Sequence, residues 1–303
     1  MVSLQAEQTR TFMKRTAASS IVQAHLPVET RRAQFEAQRA LISLPSDTQV
    51  EAITAGSVAA EWVSTSGGDN SRVVLYVHGG GFVWGSCASS RVVTAIFSQV
   101  AQARVLVLDY RLAPEHPFPA APRDCLAAYQ WLLDSGVKPE HIVIVGDSGG
   151  GGLVLAMLVS LRQAALPQPA GAVLISPWLD LTLSGASYTT NAQADFMESR
   201  DLLLEMRQYY LGAQDPRSPL ASPLFADVSG LPPLLVYAGS DELLLDDAIQ
   251  LAERLRQVGG TVELQIGEGF WHTWPITATL RPFPEGTLAL EHIGAFVRSH
   301  CQT

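Results

Sequence analysis

The sequence predicts an α/β protein built on a mostly parallel, doubly wound sheet. Short apolar runs recur along the chain, each ending in Gly, Asp, Ser or His, and helical patterns separate them. Continuous apolar runs of this length are typical of strands that are buried on both faces, as in a parallel sheet. Strands that alternate with helices in this way favour a doubly wound arrangement. The chain of 303 residues, 47% of them hydrophobic, is long enough to bury a large core without disulfides or a metal.

The predicted elements follow one another in a regular order. The strand runs cover residues 72–78, 104–110, 141–147, 172–177, 234–240 and 262–266. Helical patterns cover residues 91–103, 121–133, 149–163 and 244–258, and a last helix covers 288–298. In such sheets the chemistry lies at the carboxyl ends of the strands, so the loops after these runs are where we expect the functional residues.

Two stretches depart from this alternation. Residues 1–50 carry loosely spaced apolar positions and no strand pattern, and Leu26-Pro27 predicts a break between two helices. A second stretch, near 180–215, has no strand run and contains an amphipathic helical pattern at 201–212. An insertion of this length is usually a lid or cap. We therefore predict that both stretches form a helical cap, and that residues 51–303 form the catalytic domain.

The sharpest motif is Gly146-Asp147-Ser148-Gly149-Gly150, between a predicted strand and an apolar helix. A G-x-S-x-G motif on a strand–turn–helix is a nucleophile elbow, in which a strained turn exposes the serine Oγ at the top of the sheet. The helix N-terminus beside it favours negative charge. The alternative is an ordinary N-cap serine in a glycine-rich helix start. The same letters occur in chymotrypsin-type proteases, but that all-β fold does not fit the alternating pattern here.

A second motif, His78-Gly79-Gly80-Gly81-Phe82, directly follows a predicted strand. Three consecutive glycines allow backbone N–H groups to point into a cavity, which is how an oxyanion hole is built. The alternatives are a glycine-rich turn or a phosphate cradle. A Walker loop requires Gly-Lys-Ser/Thr, which is absent, and no G-x-G-x-x-G motif opens a helix.

Together with the stretch from Asp109 to Glu115 and Pro117-Phe118-Pro119, these two motifs resemble those of the bacterial hormone-sensitive-lipase-like esterases. The resemblance covers the chain from about residue 58 to its end and implies an α/β-hydrolase fold, ester hydrolysis and short acyl chains. It implies that the amides of Gly80 and Gly81 bind the oxyanion together with that of Gly149, where the family usually has Ala. It further implies a bacterial source, and it admits a homodimer because homodimers are frequent in that family.

The remaining catalytic residues should follow Ser148 in the order acid, then histidine. His272 lies just after the last predicted strand, where the catalytic loop is expected. The loop after the strand at 234–238 offers Asp241 and Glu242 as the acid. The family pattern acid-x-Leu-x-Asp fits Glu242, which has Asp246 at the fifth place, and does not fit Asp241. We therefore predict Glu242, with Asp241 as the alternative.

These residues predict a serine esterase that forms an acyl-enzyme on Ser148, with His272 as general base and Glu242 as its partner. This chemistry requires neither metal nor cofactor, and its partner is a small-molecule ester. Two alternatives remain: an acyltransferase or peptidase on the same fold, and a ligand-binding receptor. The presence of a serine, an acid and a histidine in the right order argues against a receptor.

Several other functions are disfavoured by composition. The formal net charge is −9 and there are only two lysines, Lys14 and Lys138, so we expect no nucleic-acid binding. The longest apolar stretch, residues 153–161, is too short to span a bilayer, and no apolar leader is present at the N-terminus. Three scattered cysteines fit neither a disulfide framework nor a zinc site. We therefore expect a cytoplasmic protein without membrane contact.

Two further sets of residues lie close to the motifs. The first set is aromatic or apolar and consists of candidate walls of a substrate pocket: Phe82, Trp84, Phe196, Met197 and Trp271. The second set is charged and, on our interpretation, forms a structural network that holds the oxyanion turn: Asp109, Arg111 and Glu115.

Overall fold

The computed structural model describes residues 2–22 and 26–301 of the chain, so part of the predicted N-terminal segment, residues 1 and 23–25, lies outside it. Its central feature is an eight-stranded sheet with the strand order β1-β2-β4-β3-β5-β6-β7-β8. The strands are β1 (Gln49–Ala55), β2 (Val58–Ser64), β3 (Asp69–Val77), β4 (Ala103–Leu108), β5 (Ile142–Asp147), β6 (Gly171–Ile175), β7 (Leu234–Gly239) and β8 (Val262–Gly267). Strands β3 to β8 are parallel to one another, and β2 is antiparallel to both β1 and β4.

Helices connect and cover the strands. They are α1 (Leu4–Val22), α2 (Val28–Ala40), α3 (Cys87–Ala101), α4 (Ala120–Asp134), α5 (Gly149–Gln163), α6 (Ser187–Thr190), α7 (Arg200–Leu211), α8 (Leu245–Gln257), α9 (Trp274–Leu280) and α10 (Pro284–His300). The predicted α/β class and the mostly parallel sheet are confirmed, and each of the six predicted strands is present. The predicted helices correspond to α3, α4, α5, α7, α8 and α10, and the predicted break at Leu26-Pro27 separates α1 from α2.

The sequence analysis did not predict β1 and β2. These two strands form an antiparallel hairpin at one edge of the sheet, and β1 begins at Gln49, just before the predicted start of the catalytic domain. Most of β1 is exposed, while β2 alternates between buried and exposed positions. Neither strand therefore contains the continuous apolar run that marks the buried parallel strands.

Both faces of the sheet are buried beneath helices, which explains the continuous apolar runs. Successive residues of β3 illustrate this: Leu75 belongs to the core cluster that includes residues of α4 and α5, while Val74 and Tyr76 belong to the cluster that includes residues of α3 and α10. Because side chains alternate across a strand, successive residues of each central strand enter opposite core layers. The two layers fix the sheet firmly, so the loops at its carboxyl end start from defined positions.

Helices from the two stretches outside the regular alternation lie near these loops. Arg31 of α2 forms an ion pair with Glu205 of α7 at 2.9 Å. The next residue of α2, Arg32, donates a hydrogen bond to the carbonyl oxygen of Val83, just after the glycine-rich turn. The residue directly before α1 contacts another region: Ser3 donates two hydrogen bonds to Glu285 of α10. The N-terminal segment therefore contacts two different parts of the molecule.

The three cysteines, Cys87, Cys125 and Cys301, are buried as free thiols. Burial raises the pKa of each thiol, to about 11 for Cys301 and further for the other two. Among the described residues, no helix is long and apolar enough to cross a membrane.

Candidate active site

Ser148 occupies the turn between β5 and α5, at the carboxyl end of the sheet. Its φ of 51° and ψ of −124° lie in a region that residues with a side chain seldom adopt. Two backbone hydrogen bonds hold it there: its N–H donates to Ile175 O at 2.9 Å, and its carbonyl accepts from Trp178 N at 3.0 Å. The end of β6 and the segment after it therefore hold Ser148 in its strained conformation. The Ser148 side chain lies beside the N-terminus of α5.

Gly149, the residue after this serine, lies very close to the glycine-rich turn. A Cβ atom at this position would be 3.2 Å from Gly81 Cα and from a ring carbon of Phe82. Such a contact is tighter than a normal van der Waals contact, so the two loops approach more closely here than an alanine would comfortably allow. This close approach gives a physical reason for the glycine that replaces the usual alanine.

The turn after β3 leaves two N–H groups available, and the start of α5 leaves a third. In the turn after β3, the carbonyl oxygen of Gly80 accepts hydrogen bonds from Val83 N and Trp84 N. Gly81, in the same turn, has a φ of +57° and faces the sulfur of Met206. Within residues 2–22 and 26–301, the N–H groups of Gly80, Gly81 and Gly149 have no hydrogen-bond acceptor. Free backbone donors that converge beside a serine can bind a developing oxyanion.

Two buried side chains that we did not predict as functional support this turn. Asp147 Oδ1 accepts hydrogen bonds from Tyr76 OH at 2.5 Å and from Gly79 N at 3.0 Å. Tyr110 OH donates to His78 O at 2.8 Å, and its ring stacks on the His78 imidazole. Both residues lie within the motifs of the sequence analysis, so proximity to the motif was the available signal. Burial raises the pKa of the Asp147 carboxyl.

The predicted charged network is only partly present. Asp109 accepts from Cys87 N at the start of α3, and Arg111 pairs with Asp124 of α4. Neither contact reaches the glycine-rich turn. Glu115 does reach it indirectly, because its partner Arg32 also donates to Val83 O. The expectation of one network is therefore wrong for Asp109 and Arg111, whose contacts instead join α3 and α4 to the segment after β4.

His272 and Glu242 meet in the interior, although 30 residues separate them in the chain. Glu242 lies in the turn after β7 and is fully buried, and His272 lies in the loop after β8 and is 3% exposed. The Nδ1 atom of the imidazole is 3.2 Å from Glu242 Oε2. Asp241 points away, and its Oδ2 bonds to Arg10 of α1 at 2.9 Å. Of the two adjacent acids, only Glu242 contacts the histidine.

Three contacts that the sequence did not predict hold these loops in place. Ser176, which follows β6, accepts a hydrogen bond from Thr273 N at 2.9 Å and thereby ties the histidine loop to the strand beside Ser148. Asn191 donates to the carbonyl oxygens of Ser240 and Glu242. The third contact comes from α1, since Arg10, besides bonding to Asp241, donates to the carbonyl of Gly269 in the histidine loop. These three side chains gave no motif signal because their partners are distant in sequence.

The other side of the imidazole faces a second carboxylate. The His272 Nε2 atom is 3.9 Å from Glu198 Oε1, and no hydrogen bond joins the ring to Ser148 Oγ in the part of the chain described here. Catalytic hydrogen bonds are often long before substrate binds. Asp195 fixes the segment that carries Glu198, because it accepts from Met197 N, Glu198 N and Leu243 N.

Charge around the imidazole changes its pKa. Burial alone would lower the pKa of His272, but the hydrogen bond and charge of Glu242, followed by the charges of Glu198 and Asp195, raise it to about 9. Burial also raises the pKa of Glu242, an effect that its histidine partner opposes. For Glu198, burial is the largest effect and raises the pKa to about 7. We therefore expect a base whose neutral form is reached at higher pH than that of a free imidazole.

The predicted pocket residues fall into two groups. Phe82 stacks on Tyr210 of α7 with ring centroids 3.9 Å apart, beside the glycine-rich turn. Phe196 and Trp271 lie 6.0 Å apart beside the histidine loop, and Met197 is half-buried next to them. Trp84 packs beneath the Arg31 guanidinium. The sequence analysis missed Tyr210 and Met206, which bring α7 onto the turn.

Known proteins match both the sequence and the geometry. The family of α/β-hydrolase-fold proteins matches residues 74–276. An acetyl-hydrolase of Streptomyces hygroscopicus is 42% identical over 276 residues, 90% of each chain. An esterase of Acinetobacter venetianus is 38% identical over 230 residues, 76% of this chain and 75% of that one. A solved esterase from the bacterial hormone-sensitive lipase family has a TM-score of 0.94 at 39% identity, and the match covers 100% of both chains.

A strained serine at a strand–helix turn, in a sheet of this order, defines the class of α/β hydrolases. Within that class, the chain belongs to the bacterial hormone-sensitive-lipase-like esterases. The chain is accordingly a carboxylic-ester hydrolase, and its substrates are small-molecule esters.

Proposed function

We propose that the chain hydrolyses carboxylic esters through an acyl-enzyme on Ser148, with His272 as general base and Glu242 as the acid that orients it. The observation that carries this proposal is the contact of Nδ1 with Glu242 at 3.2 Å in a loop tied to the strand beside Ser148. A carboxylate bound at Nδ1 fixes the tautomer that leaves Nε2 free to accept a proton.

In the proposed reaction, Ser148 Oγ attacks the ester carbonyl carbon while Nε2 of His272 takes the hydroxyl proton. The oxygen that becomes negative binds the free N–H groups of Gly80, Gly81 and Gly149, each worth about 3 kcal/mol in the transition state. The imidazolium then gives its proton to the leaving alcohol, which forms the acyl-enzyme. Water attacks the acyl-enzyme by the same steps and releases the acid.

Short acyl chains fit the surroundings of the turn. Met206 contacts Gly81, and Tyr210 stacks on Phe82, so two large side chains of α7 limit the space beside the proposed oxyanion hole. The related Streptomyces protein is named an acetyl-hydrolase, which supports a small acyl group. We therefore propose acetyl to butyryl esters as the preferred class.

The helices above the turn support a cap. Helices α2 and α7, from residues 1–50 and 180–215, are joined by the ion pair of Arg31 and Glu205. Helix α7 contacts the glycine-rich turn at Phe82, and α2 contacts the next residue, Val83. We propose that they cover the substrate, while residues 51–303, apart from the insertion, perform catalysis.

Two further expectations belong to this proposal. The unpaired thiols are typical of a reducing compartment such as the cytoplasm. A homodimer, frequent in the family, fits the edge strand β8, whose Ile266 is 37% exposed. Light scattering of the purified chain tests the dimer, and a monomer at micromolar concentration contradicts it.

The test of the catalytic assignment combines labelling with substitution. We expect an organophosphonate to form one adduct on Ser148, and we expect Ser148→Ala to lower kcat by at least about 10³ because only binding and oxyanion effects remain. Near-normal turnover by folded Ser148→Ala overturns the assignment.

Substrate panels separate the alternatives on the same fold. We expect p-nitrophenyl acetate and butyrate to be hydrolysed faster than longer esters and than aminoacyl p-nitroanilides. Faster cleavage of the anilides indicates a peptidase, and faster transfer to an added alcohol than to water indicates an acyltransferase. Absence of both labelling at Ser148 and turnover of any ester would favour the receptor alternative.

A further inference from the structure

Glu198 faces the reactive side of the histidine. Its Oε1 is 3.9 Å from His272 Nε2, and its side chain is only 15% exposed. Nε2 is the atom that accepts the serine proton in the proposed reaction, whereas Glu242 is bound to Nδ1 on the opposite side of the ring. The imidazole therefore lies between the buried carboxylate of Glu242 on the Nδ1 side and the largely buried carboxylate of Glu198 on the Nε2 side.

The other oxygen of this carboxylate has no hydrogen-bond partner. Glu198 Oε2 is buried and accepts no hydrogen bond from the described residues. Its acidic neighbours Asp195 and Glu242 oppose its ionisation, and the charge of His272 favours it. An ionised carboxylate in this position thus depends on the imidazolium for its compensation.

Charged groups reach this region from several elements. The turn after β7 contributes Glu242, the segment before α7 contributes Asp195 and Glu198, and the end of β5 contributes Asp147. Helix α1 contributes two cations, of which Arg10 is bound to Asp241 and Lys14 lies over the ring of Phe196. Carboxylates therefore outnumber cations around the imidazole. Glu198 is the carboxylate that faces Nε2, the atom that exchanges a proton with the serine in the proposed reaction.

We propose that Glu198 is a positioning residue that holds the protonated form of His272 from the Nε2 side and so sets the lowest pH at which the esterase works. This inference rests on the proposed role of His272 as general base. A carboxylate within about 4–6 Å of an imidazole favours the imidazolium and raises its pKa by about 1–3 units. Because only the neutral ring can take the serine proton, activity begins at a higher pH than it would without Glu198.

Removal of the Glu198 charge should raise activity at neutral pH, whereas damage to the structure would lower it. In Glu198→Gln, the acidic limb of kcat/KM against pH shifts downward by about 1–3 units. The variant is therefore more active than the wild type at neutral pH. At the alkaline plateau it is severalfold less active, because a weaker base drives proton transfer less strongly and the imidazolium of the transition state loses its second carboxylate.

The experiment compares the wild type with three variants between pH 5 and 10. One readout is kcat/KM for p-nitrophenyl acetate, and the second is the rate of inactivation by phenylmethylsulfonyl fluoride, which reports on the serine without an ester substrate. Glu198→Asp keeps the charge, and its limb should stay nearer that of the wild type. Glu268→Gln is the matched control, because it removes one exposed carboxylate four residues before His272. Its limb should coincide with that of the wild type.

Each outcome decides the role of Glu198. A limb that shifts downward only in Glu198→Gln, in both readouts, supports the proposal. An unmoved limb, or an equal loss at every pH, overturns it. Retention of activity by His272→Asn would instead contradict the proposed function, since the base itself would then be misassigned.

Discussion

The two halves of the candidate site are built in different ways. The half around Ser148 consists of two glycine-rich turns, and its important groups are backbone N–H donors without net charge. The half around His272 consists of one imidazole among several buried carboxylates, from segments far apart in the chain. Contiguous sequence motifs supply the reacting groups of the first half, whereas side chains from distant segments form the second.

This difference separates two kinds of sensitivity. Backbone donors cannot be titrated, so we expect the oxyanion donors of the half around Ser148 to respond to steric changes rather than to their own titration. The half around His272 should respond to single charges, because buried charges interact strongly and are poorly screened. The following substitutions test whether the two halves behave in these distinct ways.

The largest effect is expected at the acid. Glu242→Gln keeps the size of the side chain but removes the charge that fixes the imidazole, and it should lower kcat by up to about 10⁴. Asp241→Asn should lower kcat by no more than about tenfold, because Asp241 bonds to Arg10 and not to His272. Steady-state kinetics of both variants decide the matter. A crippled Asp241→Asn beside an active Glu242→Gln would mean that the acid is Asp241.

A steric change in the other half should have the next largest effect. The methyl group of Gly81→Ala would meet the sulfur of Met206, and the φ of +57° is itself unfavourable for alanine. Displacement of one oxyanion donor lowers kcat by about 10²–10³ with little change in KM. The double variant Gly81→Ala/Met206→Ala separates the two causes, since it relieves the contact and leaves the strain. A loss of kcat in Gly81→Ala that varies with pH would contradict the proposed difference between the two halves.

Arg10 should have an intermediate effect, because it joins the acid turn to the histidine loop from outside. Arg10→Met removes its bonds to Asp241 and Gly269 O, and we expect kcat to fall by about tenfold through loss of alignment. Lys14→Met is the control, since it makes the same charge change one helical turn later in α1. Equal effects of both substitutions would indicate a general electrostatic influence of α1.

The smallest effect is expected at Gly149. A methyl group there needs its neighbours to move by a few tenths of an ångström, and alanine is favoured in a helix by up to about 1 kcal/mol. These contributions oppose each other, so kcat should change by no more than about threefold. A thermal melt run beside the kinetics shows whether stability rises. A loss above about 10² would mean that the turns cannot separate at all.

The sequence predicted the parts of the fold that lie deepest. Strands β3 to β7 were predicted because they contain apolar runs that are buried on both faces, whereas the edge strand β8 is partly exposed along its whole length. The hairpin of β1 and β2 was not predicted, because its exposed and half-buried positions interrupt the apolar pattern. Helix α9 has only seven residues, too few for a helical periodicity to emerge.

The sequence predicted some residues of the candidate site and gave no signal for others. Ser148 and the glycines lie in contiguous motifs, and the position of His272 after the last strand follows from the order of the elements. The register of Glu242 depended on one spacing pattern. Glu198 gave no signal, because its approach to His272 depends on the path of the segment before α7, which Asp195 fixes through three backbone amides.

The three buried thiols provide a way to measure how often the folded chain opens locally. Since Cys87, Cys125 and Cys301 are nearly inaccessible in the folded state, a reagent such as Ellman's can modify them only during transient exposure. Cys301 is the C-cap of α10 and should react first, because helix ends fray more readily than the core opens. Cys87 begins α3 beneath Asp109, and Cys125 lies in α4 within the core. Their modification rates would measure how often the scaffold beneath the site unfolds, independently of any substrate.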